Sequence, residues 1–162
     1  HTATPNISDA TGNYKRANDI FLCVSIIGSS VQNEGSVRRL TMTVDYSDFT
    51  DNEDNTGSYT FPYPIPVGAT VLRAVCSELT GFAGDTSAVL AIGDEADPDR
   101  YITGTPDVFS DQANGMDLGL PSGNPYHAAR VEPVITITTA SDFTSVNAGE
   151  ITIDVYYLHN NR

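Results

Sequence analysis

The residues best suited to chemistry in this chain are carboxylates gathered into loops. Ile92-Gly93-Asp94-Glu95-Ala96-Asp97-Pro98-Asp99-Arg100-Tyr101 crowds Asp94, Glu95, Asp97 and Asp99 together, and Asp48, Asp51, Glu53 and Asp54 crowd a second stretch. Such loops raise calcium coordination, because a hard dication takes several carboxylate oxygens at once. An EF-hand loop needs glycine at its sixth position and a bidentate acid at its twelfth. Counted from Asp94 those places hold Asp99 and Thr105, and counted from Asp51 they hold Thr56 and Pro62. The loops at 48–54 and 94–99 therefore read as solvated turns, with calcium binding as the alternative.

Other constellations are sparse. His1, His127 and His159 are far apart, and no His or Cys pair has the close spacing of a zinc site. With 21 acidic residues some carboxylate pair falls at glycosidase distance by chance, so a pair means nothing without a cleft and a raised pKa. There is no Gly-x-Ser-x-Gly elbow and no glycine-rich phosphate loop. The expectation is a protein without catalytic, metal or cofactor-binding residues.

Residues suited to contact are easier to find. Eight tyrosines and an acidic surface would suit a sugar groove, although the chain has no Trp. Tyr156 and Tyr157 are neighbours on a strand and point to opposite faces, which predicts one in the core and one at a rim. Tyr14-Lys15-Arg16 sets two bases beside an aromatic ring, a combination suited to docking on an acidic surface. Arg38 and Arg39 are the other adjacent bases, and the strand alternation turns them opposite ways. These five residues are the candidate interface.

The elements that position them are strands. Ile151, Ile153, Val155 and Tyr157 alternate with Glu150, Thr152, Asp154 and Tyr156, the period-two pattern of a half-buried strand. Arg39–Tyr46 alternates likewise, with Leu40, Met42, Val44 and Tyr46 inward. Ile20–Ile27 is almost wholly apolar, as where both faces are covered. Thr70–Leu79 and Ala88–Ile92 read as a hairpin, Tyr101–Thr103 as a short strand, and Val134–Thr139 and Ile151–Leu158 as the closing pair. Ser47–Ser58 reads as loop, and the prolines of Phe61–Pro66 confine that run to an extended edge. Residues 104–130 are the longest irregular segment. About eight strands between turn signals predict an all-β, antiparallel, jelly-roll-like sandwich over residues 19–162. Residues 1–18 are polar, aperiodic and predicted to form an extended arm.

At 162 residues the chain is long enough for one domain with a real core. No window approaches the ~18 apolar residues of a membrane helix, so no membrane partner is expected. A formal charge of -13 repels phosphate backbones and argues against nucleic acid. No apolar stretch opens the chain, so a secretory signal is expected to be absent or already removed. Cys23 and Cys76 each sit in an apolar strand-like run, where a thiol behaves as a small buried hydrophobe; a disulfide is the other reading.

Three stretches carry a family likeness: Val89-Leu90-Ala91-Ile92-Gly93-Asp94-Glu95-Ala96-Asp97-Pro98-Asp99-Arg100-Tyr101-Ile102-Thr103-Gly104, Val134–Thr139 and Ala148–Tyr157. Across residues 66–158 the chain resembles small virion proteins of tailed bacteriophages that decorate or cement capsids, and related head or tail accessory proteins. The resemblance implies a jelly-roll-like domain bound to the outer capsid surface, often as a homo-oligomer, with the major capsid protein or another virion protein as partner. It implies a noncatalytic, stabilising role. A head-fibre or tail-appendage domain is the alternative within virion proteins, and a glycan-binding module engaging host sugars is the alternative outside them.

Overall fold

A computed structural model describes residues 25–26, 29–30, 36–112 and 115–159. The chain divides into two units, His1–Glu34 and Gly35–Arg162. In the first, β1 (Ser25–Ile26) pairs antiparallel with β2 (Ser29–Ser30). The rest of the strand expected at Ile20–Ile27, together with Cys23 and the arm of residues 1–18, lies outside the described residues.

The second unit is an antiparallel β-sandwich. Its strands are β3 (Ser36–Asp45), β4 (Thr50–Asp51), β5 (Thr56–Thr60), β6 (Thr70–Ala83), β7 (Ala88–Gly93), β8 (Met116–Asp117), β9 (Val134–Thr139) and β10 (Ala148–His159). One 4-stranded sheet has the order β3-β10-β6-β8 and the other β4-β5-β9-β7. The chain changes sheet at almost every connection, so that each sheet covers the other.

The alternation in β10 explains its central place. Ile151 lies between Val44 and Leu79, Ile153 between Met42 and Cys76, and Val155 between Leu40 and Ala74. Each of these three residues thus meets apolar partners on both sides and is fully buried. Burying such a side chain stabilises by about 1.5–3 kcal/mol. Facing them, Leu90 and Ile92 of β7 pair with Ile137 and Ile135 of β9, all 0% exposed. The outward row of β10 is polar but satisfied: the Thr43 and Thr152 hydroxyls are 2.9 Å apart, and Thr41 donates to the buried Asp154 at 2.5 Å.

Phe49, Phe82 and Phe143 close one end of the core, with ring centroids 5.7 and 5.9 Å from that of Phe49. Gly57 lies beneath Phe143, where a Cβ would stand 2.3 Å from the ring. The free Cys76 thiol is buried and donates to the Glu78 carbonyl at 3.3 Å. Burial pushes its pKa to about 11.

Several local expectations are corrected. Ser47–Ser58 is not all loop: it holds β4 and the start of β5, whose backbone pairs with β9 although its side chains are polar. Thr70–Leu79 and Ala88–Ile92 do not form a hairpin. β6 continues through Gly81 to Ala83, and the turn after it carries β7 into the opposite sheet. Gly84 makes that turn at φ 115, with Ser145 O filling the place of a Cβ. Tyr101–Thr103 is a turn whose Tyr101 and Ile102 are 0% exposed core residues; Tyr101 N donates to Ile92 O as the loop folds back. The proline run lies extended against 131–133 and spends its amides at the non-proline positions, Phe61 on Pro133 O and Ile65 on Val131 O. Within 104–130, Val108 and Leu90 exchange backbone bonds with Ala88 and Pro106 along the free edge of β7, and β8 then lines β6.

Candidate functional site

The loop that follows β7 folds around one buried carboxylate. Asp94 is 4% exposed, and its Oδ1 accepts from the amides of Ala96 and Asp97, each at 3.0 Å. Arg100 Nε lies 2.7 Å from its Oδ2. The Tyr101 hydroxyl donates to Oδ2 at 3.4 Å and shares a 2.7 Å hydrogen bond with His127 Nε2. The Tyr101 and His127 rings meet edge to face at 5.6 Å. Arg100 also donates to the Asn124 carbonyl at 3.2 Å. The cluster therefore ties the 94–103 loop to the 123–127 loop.

Burial and the neighbouring Asp94 charge push the Tyr101 hydroxyl far above the ordinary tyrosine range. Burial holds His127 below its ordinary 6.5; the Asp94 carboxylate opposes this and the Arg100 guanidinium reinforces it. His127 is accordingly neutral at pH 7. Asp94 is encircled by donors and Tyr101 is committed to its neighbours, so the arrangement positions loops. Its outer side borders a shallow depression of about 340 Å³ that includes Glu95, Tyr126 and Arg130.

Sequence reasoning placed Asp94 among solvent-facing turn acids and gave no role to His127 or Tyr101. Their union depends on contacts between positions 26 apart in the chain, which no local pattern records. One signal was legible: an acid directly after the apolar run Ala88–Ile92 and its closing glycine stands at the mouth of the core. The other acidic loop behaves as a chain of local turns. Asp51 Oδ1 accepts from Glu53 N at 2.9 Å, and Asp54 Oδ1 from Thr56 N at 2.6 Å. Asp85 holds Ser141 through its amide and hydroxyl, both at 2.8 Å, and these bonds draw its pKa down to about 2. Among the described residues no group of acids, His and Cys is arranged to hold a metal ion.

Of the candidate interface, Tyr14, Lys15 and Arg16 lie outside the described residues. Arg38 and Arg39 stand on β3, an outer strand of its sheet, and both are exposed. They face opposite ways, Arg38 beside Tyr157 and Arg39 beside Tyr156. Tyr157 packs on the core while Tyr156 lies between Arg39 and Arg73 on the outer face. Arg39 Nε approaches Asp154 at 3.8 Å, and Arg73 pairs with Asp117 at 2.5 Å.

No family model matches the chain, and no curated protein does. In fold the chain is similar to a solved structure described as the cyanophage Pam1 capsid asymmetric unit, with a TM-score of 0.56. The match covers 85% of this chain and 94% of that one at 17% identity, a likeness of fold.

Proposed function

We propose that this chain is a noncatalytic structural protein of a bacteriophage particle, and specifically a decoration or cement protein on the outside of the capsid. The observation that carries the reading is the fold shared with a chain of a cyanophage capsid unit over nearly the whole of both. The Asp94 cluster supports it, since its groups are spent on holding loops together. The charge of -13 fits a position away from packaged DNA. Cementing requires only that a ligand bind the assembled lattice better than its parts, which stabilises the lattice by mass action. Weak contacts repeated around a shell then suffice. Tyr14, Lys15, Arg16, Arg38 and Arg39 supply contacts in this reading, and the chain acts as a homo-oligomer.

The test is addition of the purified chain to phage shells stripped of accessory proteins. Saturable binding that persists in excess free sugars, with a higher temperature of shell disruption, is the expected result. Binding to immobilised glycans with none to shells would refute it.

A further inference from the structure

Each sheet of the sandwich ends in two edges, and an unpaired edge strand offers its backbone groups to any strand that comes beside it. Most of these edges are closed or short. The outer side of β7 is bonded to the 106–108 segment, Leu90 N donating to Pro106 O and Val108 N to Ala88 O. β4 is two residues long. β8 is equally short, and the rest of β6 is covered by bonds from Val71 N to Pro125 O and from Gln112 N to Leu79 O. β3 differs. It runs ten residues, Ser36–Asp45, pairs with β10 along one side, and has no strand along the other among the described residues.

The edge of β3 also lacks two devices that keep edges apart: it contains no proline, and its register with β10 runs without a bulge. Leu40 and Met42 pack on the core from its inward face yet stay only half-buried, so apolar surface accompanies the open backbone. The strand is complementary to itself. Residues directly opposite in an antiparallel pair share a face, so inward residues must meet inward residues. With Met42 opposite Met42 of a second copy, Leu40 meets the partner's Val44, Thr41 meets the partner's Thr43, and Arg39 meets the partner's Asp45, each contact occurring twice. Moving the axis to Leu40 or Thr41 sets Arg39 against a threonine, and moving it to Arg39 sets arginine against arginine. Opposite charges facing across strands stabilise and like charges destabilise, which selects the Met42 register.

From this we infer that β3 pairs antiparallel with β3 of a second copy about a two-fold axis at Met42, joining the two copies' sheets into one continuous sheet. This rests on the homo-oligomer of the proposed function and adds the edge, the register and a closed pair of copies. A two-fold contact uses the same patch on both subunits, as this register does. The charge of -13 on each copy opposes association, but β3 itself holds two arginines against one aspartate. Charges beyond the ~8 Å Debye length at physiological salt are largely screened, so the strand's own charges dominate the approach. The Arg39 side chain is 59% exposed and 3.8 Å from Asp154. It would then lie between that carboxylate and the partner's Asp45.

The test is sedimentation of the full chain over a range of concentrations, with each variant checked by thermal unfolding. Wild type should form dimers. Arg39→Glu should weaken them by about tenfold or more, since two attractive pairs become repulsive, and adding Asp45→Arg should restore them to within about threefold by swapping the charges. In a Cys23→Ser chain, Met42→Cys should give a covalent dimer on mild oxidation, because residues opposite at the axis lie within disulfide reach and Cys76 is buried. Dimers that survive Arg39→Glu and do not cross-link through Met42→Cys overturn the edge while leaving a homo-oligomer. A trimer overturns the two-fold pairing, because such an edge contact closes at two copies. A monomer at every concentration overturns both the pairing and the homo-oligomer, and leaves the virion role to the shell-binding assay. In that monomer, slow hydrogen exchange of the outward β3 amides would assign the edge to another segment of the same chain, and fast exchange would leave it to a strand of a different protein.

Discussion

Replacing Tyr101 by Phe removes one oxygen from the centre of the buried cluster and keeps the ring that fills the core. Asp94 would retain the amides of Ala96 and Asp97 and the Arg100 guanidinium. His127 Nε2 would lose the partner that lies 2.7 Å away, at a residue only 7% exposed. A buried polar group left without a partner costs about 1–3 kcal/mol. For a domain of this size each kcal/mol moves Tm by about 3–5 °C, so the expected fall is roughly 3–15 °C. Chemical denaturation read by circular dichroism gives the free energy directly, and a change in midpoint at constant slope identifies it as a stability effect. Tyr63→Phe, at a position 63% exposed, is the control and should stay within about 0.5 kcal/mol. If Tyr101→Phe matched that control, the hydroxyl would contribute nothing and the account of the cluster as a loop-holding device would fail.

Two further outcomes follow from the same structure. Stability should rise with pH in the range just below 6.5, because burial holds His127 below that value and the unfolded chain there binds the extra proton; His127→Gln should flatten this slope in urea midpoints measured at several pH values, and an unchanged slope would assign it to other groups. Gly57→Val should cost about 1–3 kcal/mol or more by overpacking, since its Cβ would enter the Phe143 ring; wild-type stability would show that the ring moves aside freely.

The strands that were legible in the sequence are those whose side chains alternate between two environments. Leu40, Met42 and Val44, and Ile151, Ile153 and Val155, face the core as their spacing predicts, because a pleat turns every second residue the same way. The opposite directions of Tyr156 and Tyr157 follow from the same rule. β4 and β5 escaped it because their residues are mostly polar; β5 is held by the β9 backbone and by the fit of Gly57 under Phe143. The expected hairpin failed for a related reason. Local turn signals mark where β6 and β7 reverse direction, but only the mutual covering of two sheets decides that they part across the core.

From its residues alone this chain is committed to strands, to a core of β-branched side chains and to a strongly anionic surface, since each of these depends on composition or on neighbours close in sequence. The tertiary structure alone decides that Asp94, Arg100, Tyr101 and His127 meet. This arises because the winding returns distant loops to the same end of the sandwich, a relation set by packing between sheets.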